Sequence, residues 1–258
     1  MEKEEGFFDF AAEVGLTKHL GGVGATEELA ALCHIVEGSY VLDVGCGAGA
    51  TPCFLAKSYR CRVAGVDINE GMVERTTERA QRQGLADLVE ARVADAQDLP
   101  FEEALFDAVI TESVSAFPED KQRAVNEYVR VTKPGGYVGL NESTWRKTPP
   151  PPELVAWVEQ DVGANAEPLT AADWVGLLKA AGLREIVSRI YDVNPRTETR
   201  EIFRSYGLGG MLGLYRRILA LYVRSPAYRK FVKQVRQTGL APKSLSEYFG
   251  YGIYVGRK

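Results

Sequence analysis

One short segment combines an acid with three glycines at alternate positions. Residues 41–50 read VLDVGCGAGA, with Asp43 inside an apolar run and Gly45, Gly47 and Gly49 after it. Glycines allow backbone conformations and close approaches that a side chain would block. If a helix follows, its first N–H groups lack intrahelical partners and can bind an anionic group. The segment therefore predicts a loop that accepts a nucleotide-type ligand or a carboxylate.

The same loop fits two ligand classes. GCGAGA satisfies the dinucleotide pattern G-x-G-x-x-A, and Asp67 follows at about the distance that this pattern places its ribose-binding acid. S-adenosylmethionine would suit the same glycines and the same acid. The loop alone therefore does not separate NAD from S-adenosylmethionine, and both stay open here.

The elements that must position these residues alternate along the chain. Short apolar runs, several ending in an acid, predict buried strands, and segments with apolar residues on one helical face lie between them. This alternation predicts an α/β fold with a mostly parallel sheet and helices on both faces. Predicted strands span 40–44, 62–68, 88–95, 106–113, 133–142, 183–193 and 248–258, and predicted helices span 25–38, 51–59, 70–84, 118–131, 170–182 and 196–238.

Three threonines stand where helices are expected to begin. Thr26 is the predicted N-cap of the first helix, and Thr51 can cap the second. Thr170 and Asp173 have the spacing of a capping box, with Asp in place of the usual Glu or Gln.

Five ordered segments carry a family resemblance. They read VLDVGCGAG, VAGVDIN, VADAQDLPF, FDAVITESV and KPGGYVGL. With them the chain resembles the class I S-adenosylmethionine-dependent methyltransferases, within the ubiquinone-biosynthesis-like small-molecule group, over about residues 40–143 and more weakly to 193 and in the last strand. The resemblance implies a Rossmann-like seven-stranded sheet with an antiparallel last strand. It also implies methyl transfer from S-adenosyl-L-methionine to a small molecule by direct in-line displacement.

The resemblance further implies positions for the cofactor. Asp67 would accept hydrogen bonds from both ribose hydroxyls, and Asp95 would accept one from the adenine amino group, with Asp98 as a competitor. Glu112 would face the methionine end. Asp43 would help fix the glycine loop, directly or through water, and bracing of the loop suits it as well as contact with the cofactor. The other implied positions are the loop residues Gly45, Gly47 and Gly49, and Ile68, Met72 and Ala96 near the adenine.

The acceptor side is less defined. A base is needed only if the acceptor must lose a proton, and Glu112 is the candidate, although cofactor or substrate contact would suit it equally. His19 could fold over the cofactor or be a solvated loop residue. Glu142 and Trp145 are expected to follow the fifth strand and could line the acceptor pocket.

A single methyltransferase domain is expected over residues 1–258, with a core of 1–143, 170–193 and 245–258. Segments 144–169 and 196–243 are predicted insertions that form a substrate lid. The second insertion holds eleven Lys or Arg and two Glu, although the whole chain carries a net charge of −4. Pairing with the acidic core, an anionic acceptor, RNA or a membrane surface could explain these cations, and the aromatic residues between them could form a homodimer face.

Several other classes of protein fit the sequence less well than a small-molecule methyltransferase. The four cysteines match no zinc or iron–sulfur spacing, and neither a secretion signal nor a membrane span is evident, so a reduced cytoplasmic protein is expected. An RNA or protein methyltransferase is the alternative, but TESVSA stands where amino-directed methylases carry Asn or Asp followed by Pro-Pro-aromatic. A non-catalytic S-adenosylmethionine-binding protein and an NAD dehydrogenase are the remaining alternatives.

Overall fold

A computed structural model describes residues 7–14, 19–162, 166–193, 195–237, 242 and 244–258. Its strands are β1 Tyr40–Val44, β2 Arg62–Asp67, β3 Val89–Val93, β4 Phe106–Glu112, β5 Thr132–Trp145, β6 Leu169–Thr170, β7 Arg184–Asp192 and β8 Phe249–Arg257. Its helices are α1 Phe7–Val14, α2 Gly22–Leu32, α3 Ala50–Tyr59, α4 Glu70–Arg82, α5 Lys121–Val131, α6 Pro152–Val162, α7 Ala171–Ala180, α8 Pro195–Arg224, α9 Pro226–Gln237 and α10 Leu245–Tyr248.

The strands form one sheet in the order β3-β2-β1-β4-β5-β8-β7, and the short β6 pairs with β5. β1 to β5 pair in parallel, and β8 is antiparallel to both of its neighbours. The predicted mixed α/β sheet with an antiparallel last strand is therefore confirmed. β1 lies between β2 and β4, so the chain reverses its winding direction there. In parallel α/β sheets ligands bind beyond the carboxyl ends of the strands at such a point.

Helices cover both faces of the sheet because neighbouring strand residues point to opposite sides. Leu42 and Val44 belong to a core that includes Val125 of α5 and Trp174 of α7. Val41 belongs to a second core with residues of α2, α3 and α4. All four cysteines are buried thiols.

Two predicted helix starts are wrong, and one is confirmed. α2 begins at Gly22, after Gly21 with φ 77°, so Thr26 lies inside the helix. α3 begins at Ala50, after Gly49 with φ 77°, so Thr51 does not cap it. In both places a glycine with positive φ ends the preceding loop. The capping box of Thr170 and Asp173 is present at α7.

β5 is longer than predicted, because it continues through Trp145, which pairs with Phe249 of β8. Glu142 and Trp145 therefore lie within this strand and do not follow it. α1, α6, β6 and α10 were not predicted, and the last strand begins at Phe249 because Tyr248 belongs to α10. The helical prediction for 196–238 is confirmed as α8 and α9 up to Gln237, and residue 238 lies outside the described residues.

Three helices form a cover over the carboxyl edge of the sheet. Ala11 of α1 packs with Ala48 of the glycine loop and with Met72 of α4. On its other side α1 packs Phe10 against α8 and α9, at ring distances of 5.2 Å to Tyr228 and 5.1 Å to Phe231. We call α1, α8 and α9 the helical cover.

Candidate cofactor and acceptor site

The loop between β1 and α3 needs its glycines for two separate reasons. Gly45, Gly47 and Gly49 have φ values of 73°, 53° and 77°, a region that other residues enter at a cost. A side chain would also collide: a Cβ at Gly45 would lie 2.2 Å from Val114 Cγ2, and one at Gly49 would lie 2.9 Å from Thr76 Cα. The loop thus passes close to the segment after β4 and to α4.

Asp67 fixes this loop from the end of β2. Its Oδ2 accepts a hydrogen bond from the Gly47 N–H at 3.0 Å, and its Oδ1 accepts one from the Asn69 N–H at 2.9 Å. Burial raises the pKa of Asp67, and the backbone N–H groups oppose that shift. Each carboxylate oxygen has two lone pairs, so both keep capacity to accept from a ligand.

Asp43 is buried beneath the loop, with 2% of its surface exposed. Its Oδ2 has no hydrogen-bond partner among the described residues. Burial, and then the neighbouring carboxylates of Glu112 and Asp67, hold the pKa of Asp43 well above its usual range. Three acids therefore converge on one loop, and a positively charged ligand would relieve their mutual repulsion.

Glu112 lies at the end of β4 and collects polar contacts from four other segments. The Thr51 hydroxyl donates to its Oε2 at 2.7 Å, and the Thr26 hydroxyl lies 3.1 Å from both of its oxygens. Asn141 Nδ2 donates to Oε1 at 3.3 Å, and His19 Nδ1 lies 3.4 Å from the same oxygen. This network fixes the orientation of the Glu112 carboxylate.

Sequence reasoning missed the roles of Thr26, Thr51 and Asn141. Both threonines had been interpreted as helix caps, a local role, whereas each donates to an acid that lies far along the chain. Asn141 is fully buried in β5 and also donates to the Leu20 carbonyl at 2.9 Å. A buried amide within an apolar strand was the signal that could have drawn attention to it.

A cavity of about 540 Å³ opens beside the Glu112 network, between α2, α3 and α4. Its lining includes His19, Thr26 and Thr51, so three partners of Glu112 border the cavity. The remainder of the lining is mostly apolar, with two cations and the amide of Gln83. It includes Val23, Phe54 and Leu85, together with Lys57 and Arg79.

The structure places Glu142 and Trp145 away from this cavity. Glu142 is fully buried, and its Oε1 accepts hydrogen bonds from the N–H groups of Val114 at 3.0 Å and Ser115 at 2.6 Å. Burial raises its pKa to about 7. Trp145 packs edge-on against Phe249 at 5.6 Å. Glu142 thus holds the segment after β4, and the ring of Trp145, at the end of β5, packs against β8.

The remaining sequence-predicted residues follow β2 and β3 at the same edge. Asp95 Oδ1 accepts from the Gln97 N–H at 2.8 Å. Met72 is buried at the start of α4, whereas Ile68, next to Asp67, is 75% exposed. Ala96 is partly buried against the core. Met72 thus packs against Ala48 of the glycine loop, and the carboxylate of Asp95 is fixed by Gln97 just after β3.

Three comparisons with known proteins bear on this site. Residues 42–140 match the family model described as "Methyltransferase domain". The chain is 30% identical over 201 residues to O-methyltransferase cnsE of Penicillium expansum, covering 76% of this chain and 71% of that protein. It is 32% identical over 160 residues to 27-O-demethylrifamycin SV methyltransferase of Amycolatopsis mediterranei, covering 61% of this chain and 58% of that enzyme.

A solved structure agrees with the fold. It is the SAM-dependent methyltransferase from Geobacter sulfurreducens in complex with S-adenosyl-L-homocysteine, with a TM-score of 0.71, 19% identity and 98% coverage of both chains. In the described part of the chain, no helix is both long enough and apolar enough to cross a membrane. The glycine loop, the sheet order and the relatives agree, and the chain belongs to the class I S-adenosylmethionine-dependent methyltransferases.

Proposed function

We propose that the crevice formed by the glycine loop binds S-adenosylmethionine, and that the protein catalyses methyl transfer from it to a small-molecule acceptor. The observation that carries this proposal is the convergence of Asp43, Asp67 and Glu112 on one glycine loop. S-adenosylmethionine bears a sulfonium and an ammonium group, so its charge complements the three acids. NAD carries a pyrophosphate, which these carboxylates would repel.

Each part of the cofactor has proposed partners at this edge. Asp67 binds the ribose hydroxyls, because its carboxylate is held in place and retains free lone pairs. Asp95 and Ala96 bind the adenine edge, and Ile68 and Met72 pack against the ring. Asp43 binds toward the methionine ammonium, directly or through water, which would give its buried Oδ2 a partner.

The chain accelerates the reaction chiefly by positioning. The cofactor supplies an already activated sulfonium methyl group, and alignment of an acceptor with it can supply ~7–11 kcal/mol in favourable cases. Thr26, Thr51 and Asn141 hold Glu112 in one orientation at the methionine end. Glu142 of β5 holds the segment after β4 by accepting a hydrogen bond from the Ser115 N–H.

His19 and Glu112 form the proposed proton-accepting pair for an acceptor that must lose a proton. His19 lies 3.4 Å from the Glu112 carboxylate, and its ring borders the 540 Å³ cavity. A proton taken by the imidazole would be stabilised by the adjacent carboxylate. The acceptor would then enter from the side of the cavity.

The segments 144–169 and 196–243 act as the proposed substrate lid. α8 packs on α1, and α1 packs on the glycine loop and α4. Arg217 of α8 also donates to the Val14 carbonyl at the end of α1. These contacts support closure of the helical cover over the bound molecules, which would exclude water from the reacting atoms.

The direct test is incubation of the protein with S-adenosylmethionine and metabolite mixtures, followed by mass spectrometry. We expect one acceptor class to gain the mass of one CH2 unit, with equimolar S-adenosylhomocysteine. Asp67→Asn, assayed at limiting cofactor, serves as the control with reduced activity, and Asp107→Asn, at the amino end of β4, serves as the control with full activity. Cofactor binding without turnover on any acceptor would instead favour the non-catalytic alternative.

A further inference from the structure

α8 carries apolar side chains on two sides. The inner side packs Leu214 and Leu221 against Phe10 of α1. The outer side presents Leu212, Tyr215 and Leu219, each 64% exposed, and Val223, which is 68% exposed. Their spacing of three, four and four residues places them on one helical face. We call these four residues the outer stripe.

Nothing among the described residues covers the outer stripe. None of its members belongs to a hydrophobic cluster of the described chain. With a rise of 1.5 Å per residue, the stripe runs roughly 16 Å along the helix. A continuous exposed apolar strip of this kind typically marks an interaction surface.

Cations lie beside one part of the outer stripe and at its end, and the sequence around it contains no acid. Residues 202–246 hold nine Lys or Arg and no Asp or Glu. Arg216 is exposed beside the stripe. Arg229 of α9 donates to the carbonyls of Tyr222 and Val223 at 2.9 Å each, which fixes a cation at the end of the stripe. Lys233 is exposed one helical turn further along α9.

We propose that the outer stripe and these cations form a docking surface for an anionic phospholipid membrane. Leu, Val and Tyr side chains enter the boundary between headgroups and acyl chains, and Arg and Lys bind the lipid phosphates. The exposed side chains and the local positive charge complement such a surface in both respects. This inference does not depend on the identity of the methyl acceptor.

Two other partners fit the surface less well. A two-fold dimer through the outer stripe would bring two copies of the same positively charged surface together, and like charges at short distance repel each other. Single-stranded RNA binds to cations and stacking aromatic rings, and the three aliphatic members of the stripe offer it no stacking surface. A lipid surface would contact both the apolar side chains of the outer stripe and the nearby cations.

Docking would also orient the proposed active site. The inner side of α8 contacts α1, and α1 covers the glycine loop. A membrane bound at the outer stripe therefore lies on the far side of the helical cover from the crevice. An acceptor or product that partitions into lipid would have a short path to the cover.

Vesicle co-sedimentation of the full chain tests this proposal. We expect binding to vesicles of equimolar phosphatidylglycerol and phosphatidylcholine, little binding to phosphatidylcholine alone, and weakening with added salt. The double variant Leu212→Ser/Leu219→Ser should reduce the partition coefficient at least about tenfold. Arg216→Gln and Lys233→Gln should each reduce it about fivefold.

Two exposed residues elsewhere provide matched controls. Val36 is 61% exposed after α2, and Arg184 is exposed on β7. Val36→Ser and Arg184→Gln should leave vesicle binding unchanged, and circular dichroism checks that every variant is folded. The proposal is overturned by absent binding, by equal binding to neutral vesicles, or by equal effects of stripe and control variants. Loss of a dimer in the leucine variants without vesicle binding would assign the surface to a second copy, and stripe-dependent tRNA retention without vesicle binding would assign it to RNA.

Discussion

The crevice and the helical cover are built by different forces. At the crevice, buried polar groups bond to one another: Asp67 to the loop backbone, Glu112 to two threonines, and Glu142 to the segment after β4. The cover instead is attached mainly through apolar packing around Phe10 and Leu214. Buried polar networks have a directional geometry that fixes atoms in place, whereas the apolar contacts between the cover helices are not directional. From this difference we expect a preorganised crevice beneath a cover that can move.

The largest expected effect comes from closing the space at the glycine loop. Gly45→Ala adds a Cβ 2.2 Å from the β-branched Val114 and forces alanine to φ 73°. Strain and overpacking together should lower the free energy of unfolding by roughly 4 kcal/mol and abolish cofactor binding. Gly38→Ala is the control, since Gly38 has φ 84° with nothing within 4 Å of an added Cβ. The free energy of unfolding of Gly38→Ala, measured in urea, should fall by only about 1 kcal/mol. Equal losses in the two variants would show that crowding at Gly45 is unimportant.

A second test uses the pH dependence of stability at the crevice. The pKa of Glu142 is about 7 in the folded chain against an ordinary 4.5, so between these values the folded state binds more protons than the unfolded state. Stability should therefore fall as the pH rises from 4.5 through 7, by up to about 3 kcal/mol. Glu142→Gln does not titrate, so its urea-unfolding profile should lose the share of this decline that Glu142 contributes, whereas Asp43 and Asp67, whose pKa values burial also raises, keep theirs.

Glu127 provides the control of opposite sign. The hydrogen bond from Arg130 lowers the pKa of Glu127, so it contributes stability above its ordinary pKa that is lost at lower pH. Glu127→Gln should thus remove stability at neutral pH and leave the decline between 4.5 and 7 intact. A Glu142→Gln profile that keeps the wild-type decline would contradict our account of the buried carboxylate.

Removing one charge from the crevice should weaken cofactor binding more than it destabilises the fold. Asp67→Asn keeps the shape of the side chain, but its amide nitrogen cannot accept one of the two backbone hydrogen bonds that the carboxylate accepts. Loss of charge-assisted hydrogen bonds to the cofactor, worth ~1.5–3 kcal/mol, should raise the dissociation constant for S-adenosylmethionine about tenfold to a hundredfold. Asp107→Asn alters a carboxylate that binds Lys133 and the Tyr40 N–H outside the crevice. Its cofactor affinity should match wild type, and a similar loss in both variants would remove the special role of Asp67.

The cover can be loosened without touching the crevice. Leu214→Ala should cost ~2 kcal/mol of packing between α1 and α8, so hydrogen exchange of α1 should accelerate while that of β1, β2 and β4 stays unchanged. The exchange rates are read by mass spectrometry of peptic fragments. Equal acceleration in the sheet would mean that cover and crevice unfold as one unit.

The smallest effect is expected at α7, remote from both regions. Thr170→Ala removes the capping box with Asp173 and should lower the unfolding free energy by ~1 kcal/mol. Cofactor affinity in titration calorimetry should not change. A change in affinity would extend the crevice network to a helix on the opposite face of the sheet.

The sequence predicted local features, in the crevice and in α8 and α9 of the cover, better than it predicted contacts between distant segments, and the reason is physical. Glycine loops and strand-end acids act through local backbone geometry, so Gly45 and Asp67 could be placed from short motifs. Thr26 and Thr51 were misread because local rules favour helix caps, whereas Glu112, far along the chain, binds both hydroxyls. Glu142 and Trp145 were misplaced because the length of β5 depends on its partner β8. α1 depends likewise on distant packing.

Titration calorimetry tests the central claim, that three acids around a glycine loop bind an adenosyl sulfonium. We expect the full chain to bind one S-adenosylmethionine per molecule, to bind S-adenosylhomocysteine, and to give no heat with NAD. Asp67→Asn should bind both adenosyl ligands more weakly, whereas Asp107→Asn should bind them as the wild type does. Binding of NAD, or absent binding of both adenosyl compounds to a folded chain, would contradict the account.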